Sequence, residues 1–204
     1  MSDTASTTPD VFRTLAAASE GLYTEKRSKF LAFAIPVRSA EEVKTHIDAL
    51  QKRYYDARHV CYAYMLGPSR ETFRANDNGE PSGTAGKPIL GQINSRELTD
   101  VLVAVVRYFG GVKLGTSGLI QAYRAAAAEA LDAASIVERT VDEKITIGFE
   151  YPLMNAVMRV VKEEEPTVLN QGFEGDCQLT LSIRASRMPR LRQRLLDIDG
   201  VRVI

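Results

Sequence analysis

The sequence predicts an α+β fold built from two units, and three stretches carry that prediction. Val101–Phe109 is a continuous run of β-branched and aromatic residues ended by glycines, which is typical of a buried strand. An alanine-rich helical segment follows it across a glycine loop. From Val141 to Ile204 the segments read strand, helix, strand, strand, helix, strand, which is the ferredoxin-like order of a four-stranded sheet under two helices. We therefore divide the chain into residues 1–138 and 139–204.

Capping residues, helical spacing and turn residues predict the first elements of the N-terminal unit. SEGLYTEKRSKF and LAFAIPV are predicted to form two strands. EEVKTHIDALQKRY is predicted to form a helix, because Ser39 and Glu42 form a capping box before apolar residues at helical spacing. HVCYAYML is predicted to form a strand that turns after Gly67 and returns over Glu71–Ala75.

Two glycine-rich stretches, each with a lysine, follow in the same unit. NDNGEPSGTAGKPIL leads into a predicted helix over AGKPILGQI, which Ser82 or Thr84 can cap. GGVKLGTSG leads into the alanine-rich helix, which begins near Gly118 and which Thr116 or Ser117 can cap. A helix that starts after such a loop suits an anion, because its free N–H groups and the positive end of its dipole favour phosphate.

The C-terminal unit is predicted from similar signals. ERTVDEKITIGFEY predicts a strand, and PLMNAVMRVVKEEE predicts a helix that starts at its proline. TVLNQGF and CQLTLSIR predict a hairpin that turns at Glu174, Gly175 and Asp176. Ser186 is predicted to cap a helix that Gly200 ends, and VRVI predicts a last short strand.

The composition excludes several classes of protein. With 45% hydrophobic residues the chain is too apolar to be disordered, yet it has no apolar run of about 18 residues that would cross a membrane. The first residues, MSDTASTTPD, are polar and acidic where a signal peptide is basic and then apolar. The two cysteines, Cys61 and Cys177, fall in different units, which favours reduced thiols. We expect a cytoplasmic protein without a membrane partner.

Charge gives no general argument for a nucleic-acid partner, because basic and acidic residues number 26 each. Local placement has to supply any basic surface. Five arginines occur without an acid between Arg184 and Arg194, and we interpret this segment as a solvated helix face or an auxiliary contact.

The residues with chemical potential leave several interpretations open. Neither glycine loop contains GxGxxG or GxxxxGK[ST], so no nucleotide cofactor is expected. The first loop offers a base and a nucleophile, although the same side chains suit turn and cap positions: Asp77, Glu80, Ser82 and Thr84. His59 and Cys61 face one side of their strand, but two ligands do not make a zinc site, and no metal is expected.

Three blocks, DARHVCYAYMLG, NDNGEPSGTAGKPIL and VVRYFGGVKLGTSGLIQAY, resemble the signature blocks of the IMPACT family. The resemblance covers nearly the whole chain. It implies an N-terminal domain with a left-handed βαβ crossover, similar to the fourth domain of elongation factor G, and a ferredoxin-like C-terminal domain similar to the fifth. Eukaryotic relatives regulate translation, and bacterial relatives are proposed to act on RNA or the ribosome.

The family pattern marks residues of both glycine loops. Relatives often have a second aspartate where this chain has Asn78, which weakens a two-carboxylate metal or hydrolytic site. The marked residues without an assigned role are His59, Asp77, Gly79, Glu80, Pro81, Gly83 and Gly86.

The leading hypothesis is a translation-associated regulator that binds RNA or the ribosome. Arg107 has a second interpretation, because near the end of its strand it can pair with Asp77 or Glu80 instead of a phosphate. An enzyme acting on a phosphorylated or nucleotide substrate and a protein-binding adaptor are the alternatives. The C-terminal sheet is not expected to bind RNA, because CQLTLSIR has no aromatic residue and its neighbour offers only Phe173. The candidate phosphate-binding residues are Lys87, Arg107, Gly110, Gly111, Lys113 and Gly115.

Overall fold

A five-stranded antiparallel sheet organises the unit Phe12–Arg139 of the computed structural model, which describes residues 10–172 and 176–204. The order of its strands is β2-β3-β6-β4-β5, and β1 and β7 form a separate two-stranded sheet. The mixture of sheets and helices confirms the α+β class. The elements are β1 (Val11–Leu15), β2 (Ser19–Glu25), β3 (Ser28–Pro36), α1 (Ala40–Arg53), β4 (His59–Leu66), β5 (Thr72–Asn76), α2 (Gly86–Ser95), β6 (Val101–Tyr108), α3 (Gly115–Asp132) and β7 (Ile136–Thr140).

The central strand β6 is buried on both faces, as its continuous apolar sequence predicts. Its odd-numbered valines, from Val101 to Val105, join a core with α2 and α3 on one face of the sheet. Leu102, Ala104 and Val106 join a second core with α1 on the other face. Arg107 continues the first row and therefore points toward the α3 side at the end of the strand.

The turn of the first hairpin lies at residues that are not typical of a hairpin turn. Strands β2 and β3 are joined at Lys26 and Arg27, whose φ angles are 44° and 66°, and not between Phe30 and Leu31 as predicted. Two consecutive positive φ angles are the geometry of a tight two-residue hairpin turn, for which asparagine and glycine are the usual residues. The pair Lys26-Arg27 lacks that signal.

Three of the predicted helix caps are wrong, whereas Ser39 caps α1 by accepting the N–H of Glu42 at 3.2 Å. Helix α2 starts at Gly86 without a side-chain bond at its cap residue, and the Thr84 hydroxyl donates instead to the carbonyl of Pro81. Helix α3 starts at Gly115, so that Thr116 and Ser117 lie inside its first turn. The backbone N–H and the hydroxyl of Ser186 both donate to the carboxylate of Asp10, and Ser186 caps no helix.

The unit that contains Thr140–Ile204 has an antiparallel sheet in the order β11-β8-β10-β9. The single strand predicted over 138–151 is two strands, β7 and β8, which separate at Val141 and belong to different sheets. The predicted turn residues Glu174 and Gly175, like Phe173, lie outside the described residues. The elements are β8 (Asp142–Phe149), α4 (Met154–Glu164), β9 (Thr167–Gly172), β10 (Cys177–Arg184), α5 (Met188–Leu196) and β11 (Arg202–Val203).

The arginine-rich segment surrounds a buried carboxylate of its own unit. Glu164 at the end of α4 is 1% exposed, and its carboxylate lies 2.6 Å from Arg194 Nη1 and 2.9 Å from Arg190 Nε. Arg187 Nη2 lies 3.8 Å away. The hydrogen bond from Arg194 is the main cause of a lowered Glu164 pKa. Three of the five arginines therefore hold α5 to the end of α4.

Candidate functional site

A buried ion pair closes the α3 side of the sheet at the end of β6. Arg107 Nη1 donates to Glu80 Oε1 at 2.6 Å, and the hydroxyl of Tyr123 donates to the same oxygen at 2.8 Å. The Arg107 and Glu80 side chains are 9% and 4% exposed. Arg107 thus forms an ion pair with Glu80, which the sequence left open as the alternative to binding a phosphate. Removing one member of such a pair typically costs about 3–5 kcal/mol, because the other charge stays buried.

Cys61 lies in the same cluster and is an inert thiol. Its Sγ lies 2.9 Å from the carbonyl oxygen of Asp77 and 3.3 Å from the Tyr123 hydroxyl, and its single proton is a weak donor to one or the other. Burial raises the pKa of Cys61 to about 12, and burial is also the largest cause of the raised pKa of Tyr123. Since a thiolate is the reactive form, Cys61 is not a nucleophile at neutral pH.

Asp77 organises the first glycine loop. Its two carboxylate oxygens accept the backbone N–H groups of Gly83 at 2.8 Å, Ala85 at 3.0 Å and Gly86 at 2.8 Å. Partial burial opposes ionisation of this carboxyl group, but the three hydrogen bonds outweigh it and lower the Asp77 pKa. Asp77 therefore does the capping at the start of α2 that the sequence assigned to Ser82 or Thr84.

His59 is held in one orientation beside this loop. Its Nδ1 lies 2.8 Å from the carbonyl oxygen of Asn78. A carbonyl only accepts, so Nδ1 carries the proton and Nε2 is the acceptor of the neutral ring. A Cβ on Gly79, whose φ is 85°, would come within 3.3 Å of the same ring. The loop therefore holds the imidazole ring of His59 in place, with a hydrogen bond at Asn78 and close packing at Gly79.

The second glycine loop passes close to the first hairpin before α3 begins. A Cβ on Gly110 would lie 2.1 Å from the carbonyl carbon of Arg27, which explains the absence of a side chain there. Gly111 and Gly115 have φ angles of 88° and 71°, which favour glycine. Leu114 precedes α3 without a side-chain cap, and the first turn has no acidic residue. Within residues 10–172 and 176–204, the N–H groups at the start of this helix therefore have no side-chain partner.

These parts meet in a cleft of about 420 Å³, which we call the β6–α3 cleft. Arg58, Arg107 and Lys113 bring positive charge to it, and Glu80 is its carboxylate. Among the described residues, neither Arg58 nor Lys113 forms an ion pair, so the balance of charge in the cleft is positive. Its lining is Arg58, His59, Glu80, Pro81, Arg107, Phe109, Lys113, Leu114, Gly115, Thr116 and Leu119.

The cleft brings together some of the predicted residues and leaves others outside. Arg107, Lys113 and Gly115 line it, and so do the motif residues His59, Glu80 and Pro81. Lys87 is exposed on α2 and is absent from the lining, as are Gly110 and Gly111, whose loop leads into it.

The sequence-based reasoning missed two functional candidates, Arg58 and Phe109. Both adjoin residues that it singled out, because Arg58 precedes His59 and Phe109 ends the apolar run before Gly110. The available signal was an aromatic residue, Phe109, at the predicted end of a strand and next to a glycine loop.

No group of three or more histidine, cysteine, aspartate or glutamate side chains gathers within residues 10–172 and 176–204 in a way that could hold a metal ion. In those same ranges, no helix has both the length and the apolar character needed to cross a bilayer.

Comparisons with known proteins give a consistent result. Residues 26–131 match the model of the Impact N-terminal domain. The chain is 34% identical over 152 residues to the IMPACT family member YvyE of Bacillus subtilis, which covers 74% of this chain and 70% of that protein. It is 28% identical over 176 residues to the IMPACT family member YigZ of Escherichia coli, covering 85% and 86%. A crystal structure of a hypothetical protein matches with a TM-score of 0.71 and 25% identity, over 96% of this chain and 97% of the other.

Proposed function

This chain belongs to the IMPACT family, and on that premise we propose that it is a translation-associated regulator that binds RNA or the ribosome. Binding takes place through the glycine-rich, lysine-bearing loops of the unit Phe12–Arg139. One observation carries the proposal: the uncapped start of α3 lies in a cleft beside Lys113 and Arg58, where a phosphate group would meet N–H donors and cations that have no side-chain partner among the described residues.

Each of the two glycine loops contributes a lysine to the binding of a phosphate backbone. Lys113 brings its charge to the β6–α3 cleft, while Lys87 stands exposed at the start of α2, on the loop that Asp77 organises. Gly110, Gly111 and Gly115 shape the loop that leads to α3. Arg107 contributes through the part of its guanidinium group that Glu80 leaves unbound. A chain with zero net charge can thus offer a local basic surface.

The proposal includes the context in which the protein works. We propose that Phe12–Arg139 corresponds to the fourth domain of elongation factor G, with a left-handed crossover from β3 through α1 to β4. The unit containing Thr140–Ile204 corresponds to its ferredoxin-like fifth domain, and the order β11-β8-β10-β9 with two helices supports this correspondence. The site of action is the cytoplasm, where translation occurs.

The salt dependence of RNA binding tests the proposal. If three phosphates are contacted, log affinity falls against log salt with a slope of roughly −2 to −3. Lys87→Ala and Lys113→Ala are each expected to flatten that slope by nearly one unit, because each removes one phosphate contact. The measurement is fluorescence anisotropy with labelled structured RNA at several salt concentrations, together with ribosome co-sedimentation.

Lys52→Ala is the matched control, because Lys52 is an exposed lysine on α1, which packs on the other face of the sheet. It should leave the slope unchanged. Equal RNA and ribosome affinity for the wild type and the Lys87→Ala, Lys113→Ala double variant would contradict the proposal, as would no association at low salt.

A further inference from the structure

An exposed aromatic ring stands at the rim of the β6–α3 cleft. Phe109 is 50% exposed although the residues of β6 up to Arg107, two positions earlier, are buried. The guanidinium carbon of Arg107 lies 5.9 Å from the centre of its ring. An exposed phenylalanine next to cations is the usual platform on which proteins stack an unpaired base.

Other lining residues of the cleft are suited to an anion. Leu114 supplies no cap to α3, and no side chain in the described part of the molecule accepts from the N–H groups of the first turn, from Gly115 onward. Lys113 precedes this turn, and Arg58 lines the same cleft from the start of β4. The helix dipole and two cations without an ion-pair partner among the described residues therefore favour negative charge at one end of the cleft.

A buried group of the cleft also lacks a partner. The Arg107 side chain is 9% exposed and lines the cleft, and its Nε atom is buried without a hydrogen bond within the described residues. Such an orphaned donor is costly, because it has lost water and gained nothing in return. The Nη2 atom of Arg107 likewise has no hydrogen bond within the described residues, and this nitrogen, not the solvent-inaccessible Nε, is the one that a ligand oxygen in the cleft can reach. This observation is independent of the helix start and also points to an anionic or carbonyl-bearing ligand.

The geometry points to a single unstacked nucleotide of a single-stranded RNA as the ligand of the β6–α3 cleft. Its phosphate lies at the start of α3 beside Lys113 and Arg58, and its base stacks on Phe109. The inference rests on the proposed function and specifies the form of RNA that is bound. The volume of about 420 Å³ lies in the range of pockets for one small ligand.

Single strands differ from duplexes in having base faces that are accessible to the ring of Phe109. In a paired helix the base faces are stacked on one another and are not available to a side chain, whereas unpaired bases can turn out and stack on aromatic rings. His59 also lines the cleft, and because its Nδ1 faces the carbonyl oxygen of Asn78, Nε2 is the ring nitrogen left to bond with a ligand and is an acceptor in the neutral form of the ring. A base or a ribose hydroxyl can donate to it.

The test compares single-stranded and duplex RNA of equal length, binding to the full chain by fluorescence anisotropy. Phe109→Leu keeps an apolar side chain but removes the stacking face, and half-exposure of the residue means that the variant should fold. We expect it to weaken binding of the single strand about fivefold or more and to leave the duplex within about twofold, since one stacked base is worth about 1–3 kcal/mol. Lys113→Ala should weaken binding of both forms.

Phe73→Leu is the matched control, because Phe73 is 59% exposed on β5 and does not line the cleft. It should change neither affinity. Duplex binding that falls as much as single-strand binding in Phe109→Leu would overturn the inference. Unchanged single-strand binding in that variant would also overturn it, while RNA binding that responds to Lys87→Ala and Lys113→Ala would leave the proposed function standing.

Failure of the proposed function is recognised separately, by wild-type protein that binds neither RNA nor ribosomes. That result would also overturn the inference for RNA, and adenosine 5′-monophosphate, titrated into the full chain and followed by NMR, would then decide whether the cleft takes a free nucleotide. Shifts at the start of α3 that disappear in Phe109→Leu would support a nucleotide site. No shifts at millimolar nucleotide would overturn it.

Discussion

Glu80 and Asp77 are the two carboxylates of the first glycine loop, and both are occupied by hydrogen bonds within the fold. Glu80 accepts from Arg107 and Tyr123, and Asp77 accepts three backbone N–H groups. Loss of activity on substituting either residue would therefore report on folding as much as on chemistry. An enzymatic role for this loop has to be tested with variants that keep both carboxylates, such as Ser82→Ala, because Ser82 is exposed.

Asp77→Asn tests the capping role through pH. The Asp77 pKa is lowered in the folded chain, so ionised Asp77 adds stability that is complete above its unfolded pKa of about 3.9 and is lost as pH falls through the folded value. We expect Asp77→Asn to lose about 1–3 kcal/mol at pH 7, because an amide oxygen cannot replace two carboxylate oxygens as acceptor. The difference between wild type and variant should shrink below about pH 4.

Urea unfolding at a series of pH values measures this difference. Asp48→Asn, at an exposed position on α1, is the control and should change stability by less than about 0.5 kcal/mol. A wild-type advantage that stays constant down to pH 2 would show that ionised Asp77 is not what stabilises the loop.

Among the elements, the second glycine loop and the first hairpin depend on each other. The backbone N–H of Gly110 donates to the Ser28 hydroxyl at 3.0 Å, and any Cβ on Gly110 would collide with the backbone of Arg27 and Ser28. The start of α3, and with it the β6–α3 cleft, follows directly on this contact. The unusual turn at Lys26-Arg27 thus has a counterpart in a glycine more than 80 residues later.

Two glycine-to-alanine substitutions compare a glycine that contacts another part of the backbone closely, Gly110, with a glycine that has open space around it, Gly91. Gly110→Ala is expected to destabilise the fold by about 1–3 kcal/mol or more, because the backbone would have to shift by over an ångström. Gly91→Ala, inside α2 with nothing within 4 Å of the added Cβ, should stabilise it by about 0.5–1 kcal/mol. Thermal unfolding of the two variants measures both effects, and a stable Gly110→Ala protein would mean that hairpin and loop are further apart than described.

At the scale of the whole molecule, balanced charge is distributed unevenly. Three arginines around α5 are committed to the buried Glu164, whereas Arg58 and Lys113 line a cleft without an ion pair among the described residues. The sheet of the unit containing Thr140–Ile204 turns its apolar side chains, such as Leu179 and Leu181, into its own core. Its other face carries polar residues of β10, including Gln178 and Thr180.

The polar face of that sheet is expected to contribute nothing to RNA binding. Bases stack on aromatic rings in sheets that bind RNA, and the one aromatic side chain in the described strands of this sheet, Phe149, is buried. A Gln178→Ala, Thr180→Ala variant should keep the affinity of the wild type for single-stranded RNA within about twofold, while Lys113→Ala lowers it. Anisotropy titration of the full chain provides the measurement. A tenfold loss in the first variant would move the RNA contact to this sheet.

Sequence alone determined the features that depend on neighbours along the chain. The apolar run Val101–Phe109 predicts the central strand, Ser39 predicts the start of α1, and periodicity predicts the α+β class, because each reflects local backbone geometry and burial. The motif residues also came from the sequence, through the resemblance to the IMPACT family.

Tertiary structure decided every pairing between distant residues. Arg107 meets Glu80 from 27 positions away and Tyr123 reaches the same carboxylate from 43, and neither distance leaves a local pattern. The same holds for Arg190 and Arg194, which a helical pattern places on a solvated face and which contact Glu164 instead. Phe109 and Arg58 join one cleft because β6 and β4 are adjacent in the sheet, which is a consequence of strand order and not of sequence spacing.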